Sequence, residues 1–204
     1  MPFLLRDLLF TPSCLGCAQL GQWTCQKCLT DLKIQTNRII PNVDQVITAH
    51  NYEGWLRERV IAYKSGNAHL ARAFAEVLLT KCLPKTNSCI LIPIPSSHAK
   101  IQLRQLDTIL QITKQIHLLD RNYQVIPSLK LIREVSDQVG LSVKLRTENM
   151  KNAFGVSRKI SGEVILVDDV ITTGSTVASA AKTLKLAGAK TVSAIALCSA
   201  GNVH

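Results

Sequence analysis

The chain has 204 residues, a formal net charge of +10 and 47% hydrophobic residues, enough apolar material for a real core. That length suits one domain of about 150 residues with a small appendage. No apolar run approaches the roughly 18–20 residues of a membrane span, and the start Met1-Pro2-Phe3 carries the early acid Asp7 and no small-residue cleavage site, so a cytoplasmic protein is expected.

The charge is uneven. Residues 91–160 hold 11 Lys/Arg against 5 Asp/Glu, whereas residues 161–204 hold three of each sign. Such a basic middle suits a pyrophosphate-bearing ligand and would also attract nucleic acid. Aromatic residues are only 4% of the chain and form no stacking ladder of the kind that reads RNA.

Near the N-terminus, Cys14-Leu15-Gly16-Cys17 is followed after seven residues by Cys25-Gln26-Lys27-Cys28. Two Cys-x-x-Cys pairs this close have the spacing of a tetrahedral S4 site for Zn²⁺, closed and structural because four protein ligands leave no open position. Gly16 and Gly21 are expected to permit the tight turns. A pair of disulfides is the competing reading, disfavoured in a cytoplasmic chain. Cys82, Cys89 and Cys198 stand apart; none is assigned as a nucleophile, and Cys198 is expected in the core.

Residues 29–50 read as a connector ending in a strand. Tyr52 to Lys64 reads as a helix with Trp55, Arg59 and Tyr63 at four-residue spacing; Ser65-Gly66-Asn67 breaks it, and a second amphipathic helix covers Ala68 to Leu79. Lys64 either reaches an anion or caps its helix in solvent. Cys89 to Ile92 is a buried strand ending in Pro93-Ile94-Pro95, and Ser96, Ser97, His98, Lys100 and Arg104 beyond it suit a second anion site. Leu103, Leu106, Ile109, Leu110, Thr113 and Ile116 then mark one helical face, with His117 partly buried on the helix. Leu129 to Ile132 is a further strand. Residues 133–141 read as a polar loop and Ser142 opens a short helix through Met150; Arg133, Lys144, Arg146 and Lys151 would either form a basic flap or nucleic-acid contact, or lie on a solvated surface.

The most informative stretch lies near the C-terminus. Val164-Ile165-Leu166-Val167 is a buried parallel strand in pattern. It ends in Asp168-Asp169, then passes through Thr172-Thr173-Gly174-Ser175-Thr176 into a helix from Val177 to Ala187. A strand feeding a helix through Gly and hydroxyl residues presents backbone N–H groups and a helix N-terminus to an anion. Gly174 would let the backbone approach that anion closely. The paired acids make sense aimed at hydroxyls or at a bridging Mg²⁺, so the ligand expected is a phosphorylated sugar. A plain helix cap would explain one hydroxyl, not four with two acids.

This stretch resembles the phosphoribosyl-pyrophosphate loop of type I phosphoribosyltransferases. The resemblance implies that Asp168 and Asp169 bind the ribose hydroxyls, and that Thr172, Thr173, Gly174, Ser175 and Thr176 hold the 5′-phosphate. The four cysteines, Tyr52-Glu53-Gly54…Tyr63-Lys64…Gly66, Pro93-Ile94-Pro95, Arg133…Gln138…Arg146…Phe154 and the 164–176 stretch, in this order, make the whole chain similar to the ComF (competence protein F, double zinc ribbon) family. It implies an α/β fold with a type I phosphoribosyltransferase-like domain, built on a central mostly parallel sheet, at 41–204, and a zinc-ribbon-like module at 1–40. It also implies phosphoribosyl pyrophosphate with Mg²⁺ as ligand and an association with DNA uptake, and DNA-uptake proteins, in natural transformation. The basic middle leaves open a non-catalytic module that binds single-stranded DNA, and nucleotide salvage is a third reading. Catalytic roles would fall to Asp168, Asp169 and Arg104, with Ser96 and Ser97 on the pyrophosphate. One segment departs: the family's Arg-Gly-Phe-Asn-Gln is here Arg104-Gln105-Leu106-Asp107-Thr108, which reads as a turn converted to helix. No base-binding hood is recognisable.

Overall fold

A computed structural model describes residues 11–85, 88–132 and 152–201. The flap residues Arg133, Lys144, Arg146 and Lys151, and the helix expected from Ser142, lie outside the described residues.

The elements run α1 (Gln26–Asp31), β1 (Gln45–Asn51), α2 (Gly54–Lys64), α3 (Leu70–Lys81), β2 (Cys89–Pro93), α4 (His98–Arg104), α5 (Thr108–Leu119), β3 (Tyr123–Val125), β4 (Leu129–Leu131), β5 (Phe154–Val156), β6 (Gly162–Ile171), α6 (Ser175–Leu186) and β7 (Ala189–Ser199). β1, β7, β6, β2 and β3 make one five-stranded sheet in that order, and every neighbouring pair is parallel. β4 and β5 pair antiparallel in a separate ribbon, so the strand expected at 129–132 exists but does not join the main sheet.

Strand alternation divides the core in two. In β6, Ile165 and Val167 belong to one buried cluster with Leu56 and Val60 of α2, Phe74 of α3 and Ile112 of α5. Val164 and Leu166 belong to another with Val177, Ala181 and Leu184 of α6. Each face of a fully covered parallel strand must be apolar, which is why β6 reads as an unbroken hydrophobic run. The connection β2–α4–α5–β3 steps outward one way along the sheet, and β6–α6–β7 steps the other. The crevice between the carboxyl ends of β2 and β6 is therefore the topological switch point, where open α/β sheets bind ligands.

Several boundaries differ from expectation. β6 continues through both acids to Ile171, because β7 pairs with it as far as Ile171↔Ser199. The helical face expected from Leu103 to Ile116 is split: Gln105 takes a left-handed conformation (φ 55°) and Asp107 caps a new helix by accepting the Leu110 N–H at 3.2 Å. The turn is thus retained with Gln in the left-handed position, and Leu103 is exposed rather than packed. In α2 the buried residues are Leu56, Val60 and Tyr63; Trp55 and Arg59 instead face the cysteine segment, Trp55 packing on the cysteines and Arg59 Nε donating to Leu15 O at 2.9 Å. Among the described residues, no helix is long and apolar enough to cross a membrane.

Candidate functional site

Four thiolate candidates converge first. The Sγ atoms of Cys14, Cys17, Cys25 and Cys28 all lie within 4.8 Å of one another, and Cys17 and Cys25 are 3.7 Å apart. Zn–S bonds of 2.3 Å in a tetrahedron require S···S separations of about 3.8 Å. The four sulfurs, none more than 4.8 Å from another, therefore need to close by no more than about 1 Å to hold a zinc ion. The Cys25 N–H points at Cys14 Sγ (3.2 Å) and the Cys28 N–H at Cys25 Sγ (3.4 Å), supporting negative charge on sulfur. Burial works to raise the Cys14 pKa, but N–H donation from Cys17, Cys25 and Gly16 outweighs it and brings it down to about 6. Burial drives Cys28 upward, reinforced by its neighbouring thiols. Gly16 lies in the turn closed by Ala18 N–H on Cys14 O (2.9 Å) and also permits close approach: a Cβ there would lie 2.6 Å from Cys28 Sγ. Gly21 does take a positive φ, 101°. Cys82 and Cys198, both buried, are pushed up to about 12 by desolvation, which keeps them inert.

The second site lies at the switch point. Ile94 N–H donates to Val167 O (3.0 Å), so the loops leaving β2 and β6 emerge side by side. Ser96 and Ser97 follow from β2, Ser97 immediately before α4. From β6 come Asp168 and Asp169, which alternation turns to opposite faces of the sheet. Asp169, 8% exposed, faces α2 and receives Lys64 Nζ at 2.7 Å. Asp168 Oδ1 accepts the Asp169 N–H at 2.8 Å. Lys64 is therefore neither simply solvated nor held for a free anion; it closes the carboxyl end of α2 onto the acid pair. Its neighbour Tyr63 donates to Thr108 O (2.8 Å), tying α2 to the turn that follows Arg104. Because α5 runs back to the start of β3, this turn and Arg104 sit at the same carboxyl end of the sheet.

The loop itself passes from Thr172 to α6. Gly174 precedes the helix with φ 80°, and Thr173 Oγ1 lies 3.0 Å from Ser175 Oγ and 3.4 Å from the Ser175 N. The N-terminus of a twelve-residue helix thus opens behind a run of hydroxyls. The space beside Gly174 is filled by the chain itself: a Cβ there would stand 2.7 Å from Ile40 Cδ1. Arg38, two residues earlier, donates from Nη1 to Ile171 O (2.9 Å) and Ala200 O (3.3 Å), and from Nη2 to Thr172 O. Sequence reading missed both Arg38 and Ile40; no local pattern marks a connector residue that folds against a loop more than 130 positions away.

His117 is partly buried as expected, with Nδ1 on Tyr123 O (2.7 Å) and Nε2 facing Arg121 Nη1 (2.8 Å), a bridge between α5 and β3. A cavity of about 500 Å³ lies at the opposite, amino end of the sheet, lined by Lys81, Cys89, Glu163 and Thr191 among others; it contains none of the expected site residues.

Comparison with known proteins agrees with this architecture. A phosphoribosyl transferase domain model matches residues 111–202. "DNA utilization protein YhgH" of Salmonella typhi is 46% identical over 68 residues, 33% of this chain and 30% of that protein, and its Escherichia coli K12 counterpart is 45% identical over 67, again covering 30% of the relative. The match thus spans less than a third of the length of these relatives. "Competence protein F" of Haemophilus influenzae is 28% identical over 196 residues, 89% of this chain and 82% of that protein. Together with the parallel sheet and the four-cysteine cluster, these similarities give the chain an α/β fold with a phosphoribosyltransferase-type domain and make it similar, over most of its length, to competence protein F.

Proposed function

We propose that this protein binds phosphoribosyl pyrophosphate at the carboxyl ends of β2 and β6, and that it serves DNA uptake or DNA utilisation in the cytoplasm. The observation that carries the reading is the acid-bearing strand β6 running into a hydroxyl-rich loop and helix N-terminus at the switch point of a parallel sheet. The DNA role rests on the names of the relatives, one for DNA utilisation and one for competence.

In this reading Thr172, Thr173, Gly174, Ser175 and Thr176 receive the 5′-phosphate at the start of α6. Asp168 and Asp169, reaching the carboxyl edge of β6 from opposite faces, accept hydrogen bonds from the hydroxyls of a ribose lying across that edge, Asp169 through the oxygen that Lys64 leaves open. Ser96, Ser97 and Arg104 lie toward the pyrophosphate, where Arg104 would stabilise charge developing on the leaving group as an acceptor attacks ribose C1. Two carboxylates, one of them engaged by Lys64, are a poor resident cage for Mg²⁺. They suit an ion that arrives on the pyrophosphate oxygens and keeps most of its water, where it supplies charge neutralisation. The segment 1–40 acts as a zinc-holding module that braces the 41–204 domain.

Calorimetry with phosphoribosyl pyrophosphate and Mg²⁺ tests the binding step. Wild-type protein is expected to bind, and Asp168→Asn/Asp169→Asn to lose binding; wild-type affinity in that double variant would sink the assignment. Pyrophosphate release, measured with a panel of bases, nucleic acids and no acceptor, decides whether binding leads to turnover. The competing reading, a non-catalytic single-stranded-DNA binder, predicts steep salt dependence and sensitivity to Lys144, Arg146 and Lys151.

A further inference from the structure

The connector between the cysteine segment and β1 reaches the loop after β6. Lys33 N–H donates to His50 Nδ1 (3.1 Å), Gln35 bridges antiparallel to Thr48, and the chain then turns Arg38 and Ile40 onto the loop after β6 while Ile39 is left 98% exposed. Arg38 gathers three carbonyls from two separate segments, Ile171 and Thr172 on one side and Ala200 after β7 on the other. Ala200 N–H itself donates to Ile171 O at 2.9 Å, so the guanidinium closes a small backbone knot at the ends of β6 and β7.

The peptide bonds here are trans, so each C=O points opposite to the N–H of the same peptide unit. Holding the Ile171 and Thr172 carbonyls toward Arg38 turns the N–H groups of Thr172 and Thr173 to the other side of the loop. Ile40, 4% exposed, occupies the space next to Gly174 that any side chain would need, which fixes the height of the loop above the sheet. The guanidinium also places a fixed positive charge beneath a loop preceded by two carboxylates.

We propose that residues 33–40 act as a strap in which Arg38 is a positioning residue for the phosphate loop, orienting the amides of 172 and 173 for a sugar phosphate and making ligand affinity depend on this connector. This rests on the phosphate-loop reading above, and it assigns Arg38 no contact with the ligand.

The test uses the full chain as wild type, Arg38→Lys and Arg38→Met, with two readouts. Amide hydrogen exchange needs no ligand: Arg38→Met is expected to speed exchange in 170–176 about tenfold or more while α3 keeps its protection, with Arg38→Lys intermediate because an ammonium cannot span three carbonyls. Calorimetry with phosphoribosyl pyrophosphate and Mg²⁺ should give the same order of affinity, with Arg38→Met weaker by about tenfold or more. Wild-type affinity in Arg38→Met, or unchanged exchange in 170–176, overturns the strap. If Arg38→Met loosens α3 as well, Arg38→Lys decides: partial loss at the loop alone supports the proposal, and wild-type values overturn it. Absence of binding by the wild type counts against the phosphoribosyl pyrophosphate reading instead, and the exchange data then decide the strap alone.

Discussion

The cysteine cluster and the loop after β6 are built in contrasting ways. The four sulfurs come from one stretch of fifteen residues, Cys14 to Cys28, whose local turns gather them within 4.8 Å of one another. The loop after β6 is equally compact in sequence, yet its surroundings are drawn from across the fold: Arg38 and Ile40 beneath it, Lys64 on Asp169, and Ala200 beside Ile171. A metal site can be nearly self-sufficient because the ion supplies the organising energy. The loop after β6 draws on no such ion, and distant side chains hold it in shape.

Breaking the cysteine cluster should have the largest effect. Cys25→Ser, or removal of metal by a chelator, is expected to cost several kcal/mol and to lower the melting temperature by about ten degrees or more. Metal analysis of freshly purified protein should return about one zinc per chain, and its absence would count against the S4 site. Because Leu15 and Leu32 share the main buried cluster with α2 and α3, the loss should spread beyond residues 14–28 rather than stay local.

The loop should respond more modestly and in separable parts. Gly174→Ala meets both a left-handed φ of 80° and the Ile40 side chain; the backbone part costs about 1–2 kcal/mol. In an Ile40→Ala background the steric part should vanish and the backbone part remain. A denaturation double-mutant cycle measures this, and zero coupling would show that Ile40 does not set the loop height.

Lys64→Met should come next. Its side chain is 30% exposed and that of Asp169 12%, so removing the cation leaves a largely buried carboxylate short of a partner, at about 1–3 kcal/mol. Adding Asp169→Asn should restore part of the loss in urea denaturation. No recovery would mean that Lys64 acts through its aliphatic stem.

The smallest effect concerns Asp44, at the start of β1. Its carboxyl accepts the Val192 N–H (2.7 Å) and Lys185 Nζ (3.0 Å). The backbone N–H, then Lys185, hold its pKa below the ordinary carboxylate value. The unfolded chain therefore binds the proton more readily. Stabilisation is full above the unfolded pKa of about 4 and fades as pH falls through the lower folded value. Half exposure weakens the pair, so Asp44→Asn should shallow the acid limb of the stability curve slightly and leave neutral-pH binding intact. An unchanged acid limb would remove Asp44 from the account.

Much of this was legible from residues alone. The cysteine spacing, the β6 run, the glycine and hydroxyls before α6, and Cys198 in the core all depend on interactions within one element or one loop, which sequence encodes directly. Boundaries set by a neighbour were not. β6 runs through Asp168 and Asp169 because β7 pairs alongside, and that pairing splits two adjacent acids between the faces of the sheet. Leu103 to Asp107 looked helical by its apolar spacing, but the chain must turn there so that α5 can return to β3, and Gln105 accepts the left-handed position.

What the sequence determined by itself, then, is the chemistry available: four thiols in one short segment, and a strand–acid–hydroxyl–helix unit suited to a sugar phosphate. What tertiary structure decided is how those groups are aimed. The order β1-β7-β6-β2-β3 sets two loops at one switch point, and it brings Lys64 to Asp169 and Arg38 to the carbonyls of Ile171 and Thr172. The reason is physical: backbone carbonyls and buried carboxylates must find partners wherever the fold places them, and a partner more than a hundred residues away leaves no mark in the local pattern.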